Sequence, residues 1–276
     1  GLGERGPGAL LDGVEEVESL TQEGVARVVA RLQKGQDMTR VLQDVDRAVA
    51  ELATAGTGRV TGRVCDVTRK ADCQALWDHA AEAFGRVDYW INNAGRAVAR
   101  YRVDELDEAT VHALVDGNFK GTIFGSQVAI AGFRKQGGGA LFNTLGGSYG
   151  GGRLTPLMGV YSATKSADWK LSQYLVEENK ASGILVGTIS PGMLISDNWF
   201  AEQKQMDPAE WPKIRPLLNI LCDHVETSTP WLVEQVLATR ETGRRIAWLT
   251  NGKIMGRFFN AYVLRRKRDL FSRYGL

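Results

Sequence analysis

The sequence predicts an α/β fold in which helices cover both faces of a doubly wound parallel sheet. From residue 58 onward, short apolar runs alternate with longer amphipathic segments, as in successive strand–helix units. Gly95, shortly after the apolar run 87–92, allows a ligand to approach the backbone closely. The 276 residues, 43% of them hydrophobic, are enough for a sizeable core.

Residues 1–56 depart from this alternation, and we predict that they are mostly helical. Apolar side chains recur every three or four positions over residues 14–32 and again over residues 38–52. Asp37 is expected to cap the second of these helices and Gly56 to end it. The alternative for Arg27–Arg31 is a short strand.

A Rossmann-like sheet should begin with an apolar strand and a glycine-rich turn that leads into a helix. Gly1, Gly3 and Gly6 have the spacing of such a turn, but no strand precedes them, so we predict that the first strand and the glycine turn are incomplete. Three explanations stay open. The sequence omits residues that the molecule has, another segment fills the place of the strand, or nucleotide binding is damaged.

The later elements follow in regular order, and we expect them to form one Rossmann-like domain over residues 1–276. The predicted strands are 59–67, 87–92, 140–145, 184–190 and 244–249, and the predicted helices are 70–84, 107–135, 161–180 and 227–239. Residues 193–224 are expected to be a loop-rich substrate lid, in which Trp199, Phe200 and Trp211 cover an apolar ligand or else belong to the core.

The candidate catalytic residues are Tyr161 and Lys165, four positions apart on one predicted helix. This spacing puts a phenol and an ammonium on the same helical face. A nearby cation stabilises phenolate and lowers the pKa of tyrosine, which then serves as a proton donor or acceptor near neutral pH. Ser148, in the glycine-rich loop after the preceding strand, is the candidate for holding a carbonyl oxygen beside the phenol.

In order and spacing, these residues resemble the short-chain dehydrogenase/reductase family over roughly residues 57 to 250. The matching motifs are Cys65-Asp66-Val67-Thr68, Asn92-Asn93-Ala94-Gly95, Asn118, Ser148 with Tyr161 and Lys165, and Pro191-Gly192. The resemblance implies hydride transfer between a nicotinamide and a carbonyl or alcohol, with NADP as the expected cofactor and NAD as the alternative.

The resemblance also assigns a role to each motif residue. Tyr161 is the proton donor, Lys165 lowers the pKa of Tyr161 and bonds the nicotinamide ribose, Ser148 polarises the carbonyl, and Asn118 holds a water that links Lys165 to solvent. The implied cofactor-binding residues are Asp66 and Val67 at the adenine, Asn93, Ala94 and Gly95 at the ribose and backbone, Tyr161 and Lys165, and Pro191 and Gly192 at the nicotinamide. Ser196 replaces the threonine that the family commonly has after Pro-Gly.

Within this family, several stretches are similar to the chlorophyll b reductases, which reduce the 7-formyl group of chlorophyll b with NADPH at the thylakoid of chloroplasts. These stretches are 89–95, 141–143, 154–157, 217–222 and 226–227. The resemblance implies a chlorophyll as the hydrophobic substrate and a thylakoid-associated location in the chloroplast, with the cytoplasm as the alternative. Another aldehyde, ketone or alcohol stays open as the substrate. So does a non-catalytic structural or assembly subunit that has lost nucleotide binding.

Composition and charge limit the kinds of partner that we expect for this chain. A formal net charge of +2 is small for this size, and no nucleic-acid module is recognisable, so we expect no nucleic acid. Cys65, Cys73 and Cys222 fit no metal-ligand spacing and no disulfide framework, so we expect no metal site and a reducing compartment. The basic amphipathic tail, residues 254–276, is expected to contact a membrane surface or another subunit, a homo-oligomer partner included.

Overall fold

The structure is a computed structural model of the chain, and it describes residues 16–21, 24–29, 38–55, 58–97, 101–146, 149, 154–196 and 209–275. The described strands are Glu16–Thr21 (β1), Gly24–Val29 (β2), Val60–Gly62 (β3), Tyr89–Asn92 (β4), Gly139–Thr144 (β5), Ile184–Ser190 (β6), Met193–Ile195 (β7), Cys222–His224 (β8) and Arg245–Ala247 (β9). The described helices are Met38–Ala55 (α1), Lys70–Phe84 (α2), Glu108–Leu114 (α3), Gly121–Gln136 (α4), Gly159–Glu178 (α5), Trp211–Leu221 (α6), Val225–Leu237 (α7) and Asn251–Tyr262 (α8).

The backbone divides into two compact units. The larger unit comprises residues 13–189 and 239–245, and the smaller one includes residues 190–238 and 246–276. The expected single domain over residues 1–276 stays a prediction.

The central sheet has the predicted parallel arrangement. Its strand order is β4-β5-β6-β9, and β4 and β6 both run parallel to β5, with Asn92 beside Asn143 and Phe142 beside Gly187. Parallel neighbours require crossover helices, and α4 and α5 provide them on either side of β5 in the sequence. The prediction of a Rossmann-like α/β fold is therefore confirmed.

The predicted helix over residues 14–32 is wrong in its described part, which forms a hairpin instead. β1 pairs antiparallel with β2, and β2 pairs parallel with β3. This stretch is rich in β-branched residues, which lose side-chain freedom in a helix and suit a strand. The alternative of a short strand near Arg27 is the correct one, although that strand ends at Val29.

The hairpin also bears on the missing first strand. β1 lies against β4, which is the first strand of the separate sheet β4-β5-β6-β9. β1 thus occupies the place beside β4, which agrees with the explanation that another segment fills the place of the first strand. Because β1 is antiparallel to β2, which is itself parallel to β3, it runs opposite to β3. Gly1, Gly3 and Gly6 lie outside the described residues.

The other predicted helices are present with small changes at their ends. The segment predicted as one helix over 107–135 consists of α3, a π-helical turn over Val115–Lys120, and α4. In α1, the predicted apolar face is buried at Val41 and Val45, whereas Leu42 is exposed. Asp37 and Gly56, its expected cap and end, lie outside the described residues.

The core of the larger unit contains a cluster of three aromatic rings among aliphatic side chains. Trp77 of α2 lies 5.8 Å from Trp90 of β4 and 5.2 Å from Phe133 of α4, ring centre to ring centre. Such tilted and edge-on contacts add to the burial of these large rings. A Cβ at Gly132 would overlap the Trp77 ring, so only glycine lets α4 pack this closely on α2.

The smaller unit contains part of the predicted lid and most of the tail. β7 and β8 pair in parallel, and α6 precedes β8. Trp211 packs edge-on against the fully buried Phe271 at 5.1 Å, so Trp211 belongs to the core of this unit. Trp199 and Phe200 lie outside the described residues, and the role of residues 193–224 as a lid stays a prediction.

Candidate active site

Helix α5 positions the two predicted catalytic residues near its N-terminus. Tyr161 is half-buried and Lys165 is buried, one turn further along the helix. The Lys165 ammonium donates hydrogen bonds to the Thr144 carbonyl at 3.1 Å and to Asp168 Oδ2 at 3.1 Å. The end of strand β5 and helix α5 thus fix the direction of this cation together.

The Tyr161 hydroxyl lies against the backbone of Gly146, two residues after β5. A Cβ added at Gly146 would overlap the phenolic oxygen, so position 146 is compatible with the observed phenol only as glycine. Ser148, the predicted holder of the carbonyl oxygen, lies outside the described residues. The contact between Gly146 and the phenol was not predicted, although a glycine immediately past a strand end often marks a close approach of the backbone.

Asn118 connects two parts of the site. It is fully buried in the π-helical turn, and π-helical turns are frequent at functional sites. Its Oδ1 accepts from the Arg96 N–H at 2.8 Å, and its Nδ2 donates to the Arg96 carbonyl at 2.9 Å and to Thr164 Oγ1 at 3.1 Å. The Asn118 side chain therefore fastens the loop after β4 to α5, while the predicted water-holding role stays a prediction.

The Asn93-Ala94-Gly95 motif ends beside Asn118 and Lys165. A Cβ at Gly95 would lie 3.2 Å from Asn118 Oδ1 and 3.4 Å from Lys165 Nζ, which is tight for a side chain. Glycine therefore brings the loop after β4 close to both polar groups. The structure thus brings together Gly95, Asn118 and Lys165, three of the predicted site residues.

Asp66 and Val67 follow β3, as the motif requires. The Asp66 carboxylate accepts hydrogen bonds from the Thr68 N–H at 2.9 Å and the Thr68 hydroxyl at 2.7 Å, and so closes its own turn. Val67 is buried, and a Cβ at Gly121 would lie 2.8 Å from its side chain. The turn is rigid, and its predicted contact with adenine stays a prediction.

Pro191 and Gly192 belong to the smaller unit. Gly192 has φ +87°, which other residues adopt only with strain, and a Cβ there would lie 3.2 Å from Leu249 and 3.3 Å from Trp248. The turn after β6 therefore requires glycine for both conformation and space. Its predicted contact with nicotinamide stays a prediction.

One buried charge in the site was not predicted. Asp168 is fully buried three residues after Lys165, and its Oδ1 has no hydrogen-bond partner among the described residues. Burial raises the pKa of Asp168 to about 6, although the Lys165 ammonium acts in the opposite direction. Sequence spacing contained the signal, because residues three apart on a helix are neighbours.

The Rossmann-like sheet, together with a tyrosine and a lysine one turn apart on α5, is typical of short-chain dehydrogenases. The family model for short chain dehydrogenases matches residues 16–207. The chain belongs to the short-chain dehydrogenase/reductase family. The resemblance stated from the motifs is confirmed.

Similarity to named relatives and solved structures extends over most of the chain. A probable chloroplastic chlorophyll(ide) b reductase of Oryza sativa subsp. japonica is 26% identical over 265 residues, which are 96% of this chain and 47% of the relative. A chloroplastic chlorophyll(ide) b reductase of the same organism is 30% identical over 244 residues, 84% of this chain and 69% of the relative. A putative short-chain alcohol dehydrogenase structure from Sinorhizobium meliloti is 23% identical, with a TM-score of 0.63 over 75% of this chain and 81% of that one.

Coverage of these relatives is uneven. The chain spans about half the length of the first two curated relatives it matches, at 47% and 46%. The solved structure, at 23% identity, supports the fold alone.

The residues present fit the nicotinamide end of an NAD(P) molecule. Among the described residues, the Lys165 ammonium donates to the Thr144 carbonyl and to Asp168, and Gly95 brings the backbone close to the same ammonium. A ribose hydroxyl is a hydrogen-bond acceptor that would suit this ammonium. At the other end, Asp66 and Val67 are available for adenine.

The described part of the chain has neither a membrane-spanning helix nor a cluster of metal-ligating side chains. None of its helices is both long and apolar enough to cross a membrane. Its histidines, cysteines and carboxylates form no group of three suited to a metal ion.

Proposed function

We propose that the chain is an NAD(P)H-dependent reductase that delivers hydride to a carbonyl of a hydrophobic substrate, and that this carbonyl is the 7-formyl group of chlorophyll b. The observation that carries the proposal is the placement of Tyr161 against Gly146, one turn before a buried, hydrogen-bonded Lys165. The two chloroplastic relatives named as chlorophyll(ide) b reductases support the choice of pigment. They also support a chloroplast location. The proposed cofactor is NADPH, with NADH as the alternative.

In the proposed mechanism, each residue has one task. The nicotinamide, when bound, supplies the hydride to the carbonyl carbon. Tyr161 donates its phenolic proton to the carbonyl oxygen, and the Lys165 ammonium favours the resulting phenolate. The Lys165 ammonium also holds the ribose, and Asn118 keeps the loop after β4 in register with α5. Ser148 is proposed to polarise the carbonyl.

A peripheral contact with an anionic membrane is proposed for the C-terminal segment. Exposed apolar side chains and exposed cations lie together on α8 and just after it. The apolar side chains are Met255, Phe259, Tyr262, Val263 and Leu264, and the cations are Arg265, Arg266 and Lys267. Positions 255, 259 and 262 share one helical face, which suits insertion at the level of lipid headgroups. Such a contact would bring the enzyme to a membrane-borne pigment at the thylakoid.

The proposed function is tested with the purified chain, NADPH and chlorophyll b in detergent. We expect conversion to the 7-hydroxymethyl pigment, resolved by chromatography, with matching oxidation of NADPH. Tyr161→Phe should reduce kcat at least about 100-fold, because the proton donor is lost. Tyr174→Phe changes an exposed tyrosine on the same helix and should leave turnover intact.

Other results would favour the alternatives. If the chain binds neither NADPH nor NADH in a fluorescence titration, the non-catalytic subunit is the better interpretation. If it oxidises NADPH with apolar aldehydes or ketones but not with chlorophyll b, the reductase has another substrate. Identities of 26% and 30% to the pigment reductases are low enough to keep that second candidate. An active Tyr161→Phe variant would refute the assigned mechanism.

A further inference from the structure

Asp168 is a buried acid that the proposed mechanism does not use. Its side chain is fully buried, with Oδ2 3.1 Å from the Lys165 ammonium. It stands three residues after Lys165 on α5, so the two side chains occupy neighbouring positions on one helical face. A charge at such a position is costly unless it is paired, and its pair is the proposed catalytic lysine.

The Lys165 ammonium is held both by Asp168 and by the end of strand β5. Lys165 donates to the Thr144 carbonyl at the end of β5 as well as to Asp168, and only 5% of Lys165 is exposed. The Asp168 carboxylate and the Thr144 carbonyl therefore hold the Lys165 ammonium in one orientation.

Few other groups face the carboxylate. Burial raises the pKa of Asp168 to about 6. The Lys165 ammonium and the Thr122 hydroxyl of the facing helix α4 act in the opposite direction, but their effect is smaller than that of burial. Thr122 donates its own proton to the Asn118 carbonyl at 2.7 Å. In the part of the chain that the structure describes, Lys165 is the one charged group that acts on Asp168. Asp168 is thus mostly ionised at pH 7 and mostly neutral at pH 5.

We propose that Asp168 is a positioning residue that orients Lys165 and, through its charge, sets the net positive field at the Tyr161 phenol. This inference rests on the proposed roles of Tyr161 and Lys165. With Asp168 ionised, the pair carries no net charge. When Asp168 is protonated or replaced by asparagine, Lys165 acts without its counter-ion, and the phenol becomes a stronger acid.

The first test follows the ionisation of Tyr161 without any cofactor. The ultraviolet titration of tyrosinate is measured for the full chain, and subtraction of the Tyr161→Phe curve isolates the one phenol. In Asp168→Asn we expect this phenol to ionise at lower pH than in the wild type, by roughly half a unit or more. Asp78→Asn removes an exposed carboxylate that bonds Gln74 on α2, and it should leave the curve unchanged.

The second test uses pH profiles of carbonyl reduction with NADPH. The wild type should lose kcat/KM as the pH falls through about 6, because protonated Asp168 orients the Lys165 ammonium less well, and this loss exceeds any gain from a more acidic phenol. Asp168→Asn should lack this acid limb, and its alkaline limb should move to lower pH because Tyr161 must stay protonated to donate. A merely structural role for Asp168 would lower activity equally at every pH.

The outcomes separate this inference from the proposed function. A folded Asp168→Asn protein with an unchanged phenol titration and pH profile would overturn the inference and leave the function standing. If the chain reduces no carbonyl, the phenol titration still decides the coupling. Should Asp168→Asn fail to fold by circular dichroism, Asp168→Ser serves as the second variant.

Carboxyl ¹³C spectra of the aspartate-labelled wild type must in any case show an aspartate that titrates near pH 6. Were every aspartate to titrate below about pH 5, the inference would be wrong.

Discussion

The Tyr161 phenol owes its position to a residue without a side chain. Gly146 stands where a Cβ would overlap the phenolic oxygen, and its backbone continues directly from β5. The strand end, rather than a side chain, therefore limits how far the phenol can move toward the sheet. This makes Gly146 part of the site, although it has no functional group.

We expect Gly146→Ala to lower kcat/KM by roughly 100-fold, because the added methyl group displaces the phenol by about 1 Å. Steady-state kinetics with NADPH measure the loss. Gly252→Ala is the matched control, because a Cβ at Gly252 meets nothing within 4 Å. The interpretation fails if Gly146→Ala retains the activity of this control.

At the scale of elements, the C-terminal segment is bound to the end of α6 through one buried carboxylate. Asp223 accepts from Arg257 at 2.6 Å, Arg268 at 2.6 Å and Trp248 at 2.7 Å. Arg257 and Arg268 also donate to carbonyls of Ile220 and Leu221, at the C-terminal end of α6 where the helix dipole favours cations. Two of the six cations of the basic tail are thus structural.

We expect Asp223→Asn to destabilise the smaller unit by about 3 kcal/mol, because it leaves two arginines without their counter-ion. Denaturant unfolding and hydrogen exchange over residues 251–275 measure the effect. Glu226→Gln removes a half-exposed carboxylate 3.8 Å from Arg273 and should change stability little. Equal stability of the two variants would contradict the assigned role of Asp223.

Acid should loosen the same segment. Burial on its own would raise the pKa of Asp223, but hydrogen bonds from Trp248, Arg257 and Arg268 outweigh it, so the pKa lies below its ordinary value of 3.8. A lowered folded pKa contributes stability above about pH 4, which is lost as the pH falls through the folded value. Exchange protection over residues 251–275 should therefore hold from pH 7 to 5 and decline only below about pH 4. A decline at pH 5 to 6 would point to another group.

At the scale of the whole molecule, the remaining tail cations and the apolar face of α8 predict membrane binding. Arg265, Arg266 and Lys267 are exposed, next to the exposed Tyr262, Val263 and Leu264. Each cation near an anionic surface contributes about 1 kcal/mol, and salt screens the attraction. The full chain should therefore sediment with vesicles that contain phosphatidylglycerol, and less so at high salt or with phosphatidylcholine alone.

A charge-matched comparison tests whether the tail itself is responsible. Replacing Arg265, Arg266 and Lys267 by glutamine should reduce vesicle binding roughly 10-fold or more. The control replaces Arg47, Lys180 and Lys213, three exposed cations elsewhere, and makes the same change in net charge. If both triple variants bind equally, the tail is not the contact. If neither they nor the wild type bind, no membrane contact exists under these conditions.

Local sequence patterns were sufficient for the family, the parallel sheet and most of its helices. Strand–helix alternation depends on periodicity, and the spacing of Tyr161 and Lys165 depends only on helical geometry. Both are properties of neighbours in the chain. For the same reason, Asn118 and Gly95 were placed in the site from motif order, and the structure brings both to Lys165.

Tertiary structure decided what depends on partners far apart in the chain. Residues 16–29 have helical spacing, yet β1 and β2 form a hairpin, in which β2 pairs with β3 and β1 lies against β4. The sequence places Gly146 past a strand end and Asp168 three residues after Lys165, but only packing set one against a phenol and buried the other beside an ammonium. Burial and contact arise between distant segments, and no local pattern encodes the desolvation that raises the pKa of Asp168.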